Sequence, residues 1–224
     1  FKGGVKPPTN KTQSVTLPIA TAPIPPRLVV PLHQSIGGTP RPVVQAGDKV
    51  LKGQLIGEAD GRISAAVHAP TSGTVVAVAM HVQPHPSGLD ALCVVIAPDG
   101  KDKWIARAAV DYQSLTPEEV RARLQQAGVV GLGGAVFPSH GKLTASKTVP
   151  MDELVINGGE CEPFMTCDDV LMRERGEEVV RGSGIFAGGW GAKRAAVYGV
   201  AEEDLGKYYA QRTLLKREVL PEHV

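Results

Sequence analysis

A chain of 224 residues can hold two compact domains, and its 42% hydrophobic content is ordinary for a globular fold. Lys and Arg total 24 against 23 for Asp and Glu, so the net charge of +1 removes the electrostatic case for nucleic-acid binding. No apolar run reaches the eighteen or so residues of a membrane span and no signal-peptide pattern opens the chain, so any membrane association is expected to be peripheral.

The three cysteines, Cys93, Cys161 and Cys167, form no CxxC pair and leave an odd count. A disulfide framework is not expected, and a reducing compartment suits them. The chain opens on Phe1, not Met, and is expected to be part of a longer protein.

Residues 1–27 are rich in proline, with Pro7, Pro8, Pro18, Pro23, Pro25 and Pro26, and carry little periodicity. Such a segment is extended and semi-rigid. It reads as an arm laid over the rest of the molecule; a disordered leader is the alternative.

Residues 28–110 change to short strands bounded by Gly, Pro, Asp or Ser: 28–31, 43–44, 49–51, 54–57, 63–67, 73–78 and 92–96. That spacing predicts a small sandwich or barrel. The phrase from Ala46 to Gly57 sets turn, strand, turn and strand in succession, and Ala69-Pro70-Thr71-Ser72-Gly73-Thr74-Val75 supplies a matching turn and strand. The pairing resembles the barrel-sandwich hybrid of biotinyl and lipoyl carrier domains. Carrier domains offer a modifiable lysine on the hairpin between the halves. Here that tip, 59–63, holds Arg62 and no lysine, while Lys49 and Lys52 belong to the earlier turn, so the fold is expected without the swinging arm. His68, His81 and His85 are close in sequence, but no second ligand pair has a metal-site spacing, and a proline-punctuated loop usually carries solvated histidines.

Residues 111–224 read as an α/β domain, making the chain α+β and multi-domain. Thr116-Pro117-Glu118-Glu119 is a strong helix start: Thr116 as N-cap, Pro117 at the first helical position, Glu119 closing a capping box. Val120, Leu124 and Ala127 give the apolar face, and Gly128 ends the helix. A glycine loop follows, Gly131-Leu132-Gly133-Gly134-Ala135-Val136-Phe137-Pro138-Ser139-His140-Gly141-Lys142. Leu154-Val155-Ile156-Asn157 reads as a buried strand running into a second loop, Gly158-Gly159-Glu160-Cys161-Glu162-Pro163. Thr166 and Asp169 open a helix expected to run to about Arg181. A further strand at 194–200 and helical stretch at 202–216 complete a pattern of parallel strands with crossover helices. In such sheets ligands bind beyond the carboxyl ends of strands, where the second loop stands.

Glycines ahead of a lysine can aim backbone N–H groups at an anion and admit a flat cofactor, which points to a phosphorylated ligand. The run satisfies neither the Walker frame, since Leu143 follows Lys142, nor GxGxxG, since Val136 stands at the third glycine. A tightly packed turn is the alternative. Glu160 and Glu162 on the second loop have the chemistry to bond ribose or ribityl hydroxyls or to steer a cationic nicotinamide; a solvated pair of acids beside a small buried thiol is the alternative there.

Together, GLGGAVFPSHGK and INGGECEP resemble the C subunit of the Rnf (Rsx) electron-transport complex, a relative of the flavin-binding subunit of respiratory complex I. FKGGVKPP at the start, HAPTSGTV and HPS in the barrel region, and DDVLMRE at 168–174 resemble the same subunit. The resemblance implies an NADH-oxidising site with non-covalent FMN on an incomplete Rossmann-like domain, passing electrons into [4Fe-4S] clusters. Gly131, Gly133 and Gly134 would pack against FMN, with Lys142 at its phosphate, and Phe137 would stack on the adenine of NADH. Asn157, Gly159, Glu160 and Cys161 fall at flavin contacts and Glu162 at an NADH contact; the hydride acceptor is FMN, and no side chain is assigned to catalysis. The other Rnf subunits are the implied partners, with a peripheral place on the cytoplasmic side of a bacterial or archaeal membrane. A non-catalytic docking role for the barrel and arm is the second reading. Two departures stand out. Val136 replaces the glycine usual in GGAGFP, and the family continues through the rest of the flavin domain, a ubiquitin-like domain and a CxxC-bearing ferredoxin domain that this sequence is not expected to include; with half the site's walls expected to be missing, tight FMN binding is not expected of this chain alone.

Overall fold

The computed structural model describes residues 7–133, 136–143, 154, 156, 158–160 and 162–190. Seven strands come first: β1 (Leu28–Pro31), β2 (Arg41–Pro42), β3 (Lys49–Val50), β4 (Leu55–Glu58), β5 (Val67–His68), β6 (Gly73–Val82) and β7 (Asp90–Pro98). They form two antiparallel sheets, ordered β1-β7-β6-β3 and β2-β4-β5. Val75, Val94 and Ile96 of the first sheet meet Ile56 and Val67 of the second around Leu32, forming one nine-residue core cluster. Burying a side chain of this size is worth about 2 kcal/mol, so the small sandwich read from the strand spacing carries its own stabilising core.

β6 and β7 outrun their expected windows because they pair continuously from Gly73↔Pro98 to Val82↔Asp90, with one irregularity between Val75 and Ala77. Two expected strands shift. At 43–44 the ladder lies earlier, Arg41↔Glu58 and Pro42↔Gly57, and Val43 only extends it through its amide to the Ile56 carbonyl (3.1 Å). At 63–66 there is no strand, because the polar groups go elsewhere: Ser64 Oγ donates to the Gly38 carbonyl (2.8 Å) and the Ala66 amide to the Gln125 carbonyl (3.1 Å).

Lys52 has a structural task. Its Nζ pairs with Asp102 (2.6 Å) and sits over the Trp104 ring (5.1 Å to the centroid), while Thr71 Oγ1 donates to the other Asp102 oxygen (2.8 Å). The hydrogen bonds from Lys52 and then Thr71 hold the Asp102 carboxyl below the usual carboxylate range. The segment after β7 is thereby clamped across the barrel end.

The described residues of the second half form four helices, α1 (Pro117–Gln126), α2 (Ser139–Lys142), α3 (Cys167–Glu174) and α4 (Gly176–Trp190). α1 begins with the expected capping box, Glu119 N–H to Thr116 Oγ1 (3.3 Å) and Thr116 N–H to the Glu119 carboxylate (2.8 Å). The single helix expected from Thr166 is two, interrupted at Arg175 (φ −130°, ψ 30°) just before Gly176. α4 continues through Gly182, Gly184, Gly188 and Gly189, poor helix formers in isolation. Close packing explains two of them: a Cβ on Gly184 would lie 2.7 Å from Tyr112 Oη, and one on Gly189 2.5 Å from Leu143 Cδ1, whereas among the described residues Gly182 and Gly188 have room for a side chain. α4 thus nests on α1, where Val120, Leu124 and Leu143 form a second, smaller core with Ile185 and Phe186 packed against it. The expected strand at 194–200 and helix at 202–216 lie outside the described residues, as do Val155 and Asn157 of the expected buried strand 154–157; Leu154 and Ile156 are not paired in a strand, and Ile156 is exposed.

Candidate functional site

The site is assembled where α1 hands the chain to the glycine loop. Gly128 ends α1 at φ +68°, and a Cβ there would overlap the Ala66 carbonyl oxygen, so only glycine lets the helix end close onto the barrel. An antiparallel bridge, Val130↔Pro138, then closes the loop, with the Gly131 amide donating to the Phe137 carbonyl (2.9 Å) and the Ser139 amide to Val129 (3.0 Å). Inside it Leu132 is 94% exposed, and among the described residues nothing stands near a Cβ built on Gly133. Val136 turns the chain at φ +44°, its amide bonded to the Gly133 carbonyl (3.0 Å). A β-branched residue there is a backbone outlier, which gives a physical reason for the glycine that the resemblance leads one to expect at that position.

α2 follows at once and returns Lys142 to the loop: its Nζ lies 2.9 Å from where a Gly131 Cβ would be. Gly131, Phe137 and Lys142 are therefore brought together. The Phe137 ring packs on Gly141 beside Ile63 of the barrel. His140 is buried and its Nε2 donates to the Arg62 carbonyl (2.9 Å); its Nδ1 has no hydrogen-bond partner.

Arg62 and Ile63 belong to the hairpin tip that in carrier domains would swing. Here it is pinned. Gln125 Nε2 donates to the carbonyls of Gly61 and Ser64 (3.1 Å each), and with His140 this makes residues 61–64 a wall of the glycine-loop region. At the same junction the His68 ring abuts Gly128, and burial lowers its pKa below the ordinary 6.5, outweighing a backbone hydrogen bond to Gln126.

On the second loop Glu160 has a defined partner set. Its Oε1 accepts from the amides of Asp168 (2.7 Å) and Asp169 (3.3 Å), so it caps the positive end of α3, where Thr166 makes no side-chain cap bond. Cys167 is exposed, and its Sγ approaches the second oxygen (3.7 Å); burial, then the charges of Glu160 and Asp168, push the thiol up in pKa. Glu162 is exposed, Gly159 is exposed, and Met172 packs over Gly158. Gly134, Asn157 and Cys161 lie outside the described residues.

Two family models match in succession on this architecture. Residues 1–101 match the RnfC barrel sandwich hybrid domain and residues 124–216 the Nuo51 FMN-binding domain. The chain belongs to the RnfC family. A curated relative from Rhodobacter capsulatus, the C subunit of its ion-translocating oxidoreductase complex, is 47% identical over 198 residues, 88% of this chain and 38% of the relative. The corresponding proteins of Serratia proteamaculans and Pseudomonas aeruginosa, which carry the same description, are 47% and 48% identical over 187 residues, 83% of this chain but 26% and 24% of those proteins. The chain thus spans well under half the length of these RnfC relatives.

Two features of the site were missed in the sequence: the hairpin wall and the use of Glu160 as a cap. Glu160 carried a signal, an acid shortly before a helix start; the wall carried none, since Arg62 and His140 are 78 residues apart.

Proposed function

We propose that this chain forms the electron-input part of an Rnf-type ion-translocating complex, binding FMN and oxidising NADH. The observation that carries the proposal is the closed glycine loop with Lys142 folded back onto Gly131, within the stretch that matches an FMN-binding family model. The donor set fits a phosphate monoester. A lysine lies beside glycine backbone, and the open space at Gly133 admits a ligand. Gly131, Gly133 and Gly134 would line the flavin, with Lys142 at its phosphate; Asn157, Gly159 and Cys161 would complete its surroundings. Glu160 enters this reading with its carboxylate already held by two amides, so its part is to fix the second loop. Phe137 and Glu162 would receive NADH. When bound, FMN supplies the hydride acceptor; the chain supplies position and electrostatics. The [4Fe-4S] clusters that take the electrons onward belong to the larger subunit.

The complex's other subunits are the proposed partners, with this one peripheral on the cytoplasmic face; among the described residues no helix is long and apolar enough to cross a membrane. Full-length subunit loaded with FMN should lose its long-wavelength flavin absorbance on anaerobic addition of NADH. Bound FMN that does not bleach in folded protein would overturn the proposal.

A further inference from the structure

The proline-rich start of the chain is engaged with the second loop. Lys11 Nζ donates to the carbonyls of Met165 (2.6 Å) and Glu162 (3.4 Å). Both main-chain polar groups of Phe164 are taken up as well: its amide donates to the Thr9 carbonyl (2.8 Å) and its carbonyl accepts from Ser14 Oγ (3.0 Å). Further along, Arg173 donates to the Val15 carbonyl (2.6 Å), and Glu174 accepts the Ile19 amide (3.2 Å). Residues 9–19 thus lie along 162–174, some 150 residues later in the chain.

Phe164 stands at φ +68°, a conformation an aromatic residue seldom adopts. Such a residue persists only where its surroundings over-determine it. The surroundings here are the arm: bonds on both sides of Phe164 come from Thr9 and Ser14, and the half-buried Lys11 gathers the carbonyls on either flank. Pro163 has no amide to offer a ladder, and the loop makes no sheet pairing with the described strands.

We propose that residues 9–19 are a buttress of the dinucleotide site, with Lys11 as a positioning residue that sets the main-chain course at Glu162. This rests on the reading of Glu162 as an NADH contact. Without Lys11 the Phe164 turn relaxes, Glu162 is displaced and NADH binds more weakly, whereas flavin held at the glycine loop is retained.

The test uses the full-length subunit with Lys11→Met, Lys11→Arg, Ser14→Ala and Glu162→Gln. Hydrogen exchange of the amides from Phe164 to Asp169, measured without NADH, should quicken about tenfold in Lys11→Met and return towards wild type in Lys11→Arg, as loss of a charged hydrogen bond implies. In the same variant KM for NADH should rise about tenfold with kcat and flavin content within about twofold of wild type. Unchanged exchange and unchanged KM would overturn the buttress. Faster exchange with unchanged KM, while Glu162→Gln raises KM, would overturn the positioning role. An unchanged KM in Glu162→Gln itself would remove the assigned NADH contact and the positioning claim with it, leaving FMN binding to be judged by flavin content. Should Lys11→Met not fold, Ser14→Ala, which removes one bond to Phe164, is held to the same outcomes on a smaller scale.

Discussion

The barrel and the helical half are stabilised in different ways. The barrel closes nine buried residues from two sheets into its own core. Among the described residues, the helical half has a core cluster of three buried residues and is tied to the rest of the molecule: α1 is bonded at Gln125 to the barrel hairpin, α2 at His140 to Arg62, and the second loop to the N-terminal arm. The self-sufficient unit carries none of the glycine-loop chemistry, and the unit that carries it is shaped by contacts from outside. The barrel is therefore a template for the site as well as a neighbour of it.

That asymmetry is most directly broken in the cores. Leu32→Ala should cost about 3 kcal/mol and reduce hydrogen-exchange protection in β6, β7 and α1 alike, because the helical half loses its template. Leu143→Ala, also at a fully buried site, should cost a similar amount yet leave β6 and β7 protected. Equal loss of protection in both halves for both variants would make the molecule one cooperative unit. At the junction, Gly128→Ala should cost about 2–3 kcal/mol, since the residue needs a positive φ and the new Cβ meets a backbone oxygen, which cannot swing away as a side chain can. Urea unfolding reads this, and the loss should fall on α1 more than on the barrel strands.

The two halves also differ in how far they could be read in advance. Strands punctuated by Gly and Pro, and a helix framed by Thr116, Glu119 and Gly128, announce themselves through local rules, and the structure has them within a few residues. α4 defeats those rules, because Gly184 and Gly189 are required by contact with Tyr112 and Leu143 rather than favoured by helix propensity. The glycine loop was visible as a loop, and its closure onto Lys142 follows from the short distance between them. Its wall was not legible, because residues 61–64 look like an ordinary hairpin tip until Gln125 and His140 are seen to hold it. The shift at 63–66 has the same origin: the Ser64 carbonyl and the Ala66 amide bond Gln125 of α1 in place of a neighbouring strand.

Within the loop itself, Val136→Gly should sharpen the contrast by removing strain from the half that can least accommodate it. A valine at φ +44° is held at a cost of about 1–2 kcal/mol, partly offset by the extra backbone entropy of glycine, so a net gain of about 1 kcal/mol is expected. Thermal unfolding of the helical half should move up while the barrel's exchange rates stay put. A loss of stability on substitution would mean that the valine side chain makes packing contacts worth more than the strain.

The smallest effect expected is at His68, which faces Gly128 across the junction and whose pKa is lowered, chiefly by burial. A depressed pKa in the folded state means that the unfolded chain binds the proton more readily. Stability is therefore full above the unfolded value near 6.5 and falls as the pH drops below it, towards the lower folded value. The informative quantity is a difference: the urea midpoint at pH 7.5 minus that at pH 5.5, in the parent chain and in His68→Gln. The parent should lose more on acidification, and the excess should appear in α1 exchange rather than in β6 and β7. If acid loosened the barrel strands first, the junction would not be the weaker joint, and the template relation between the two halves would have to be reversed.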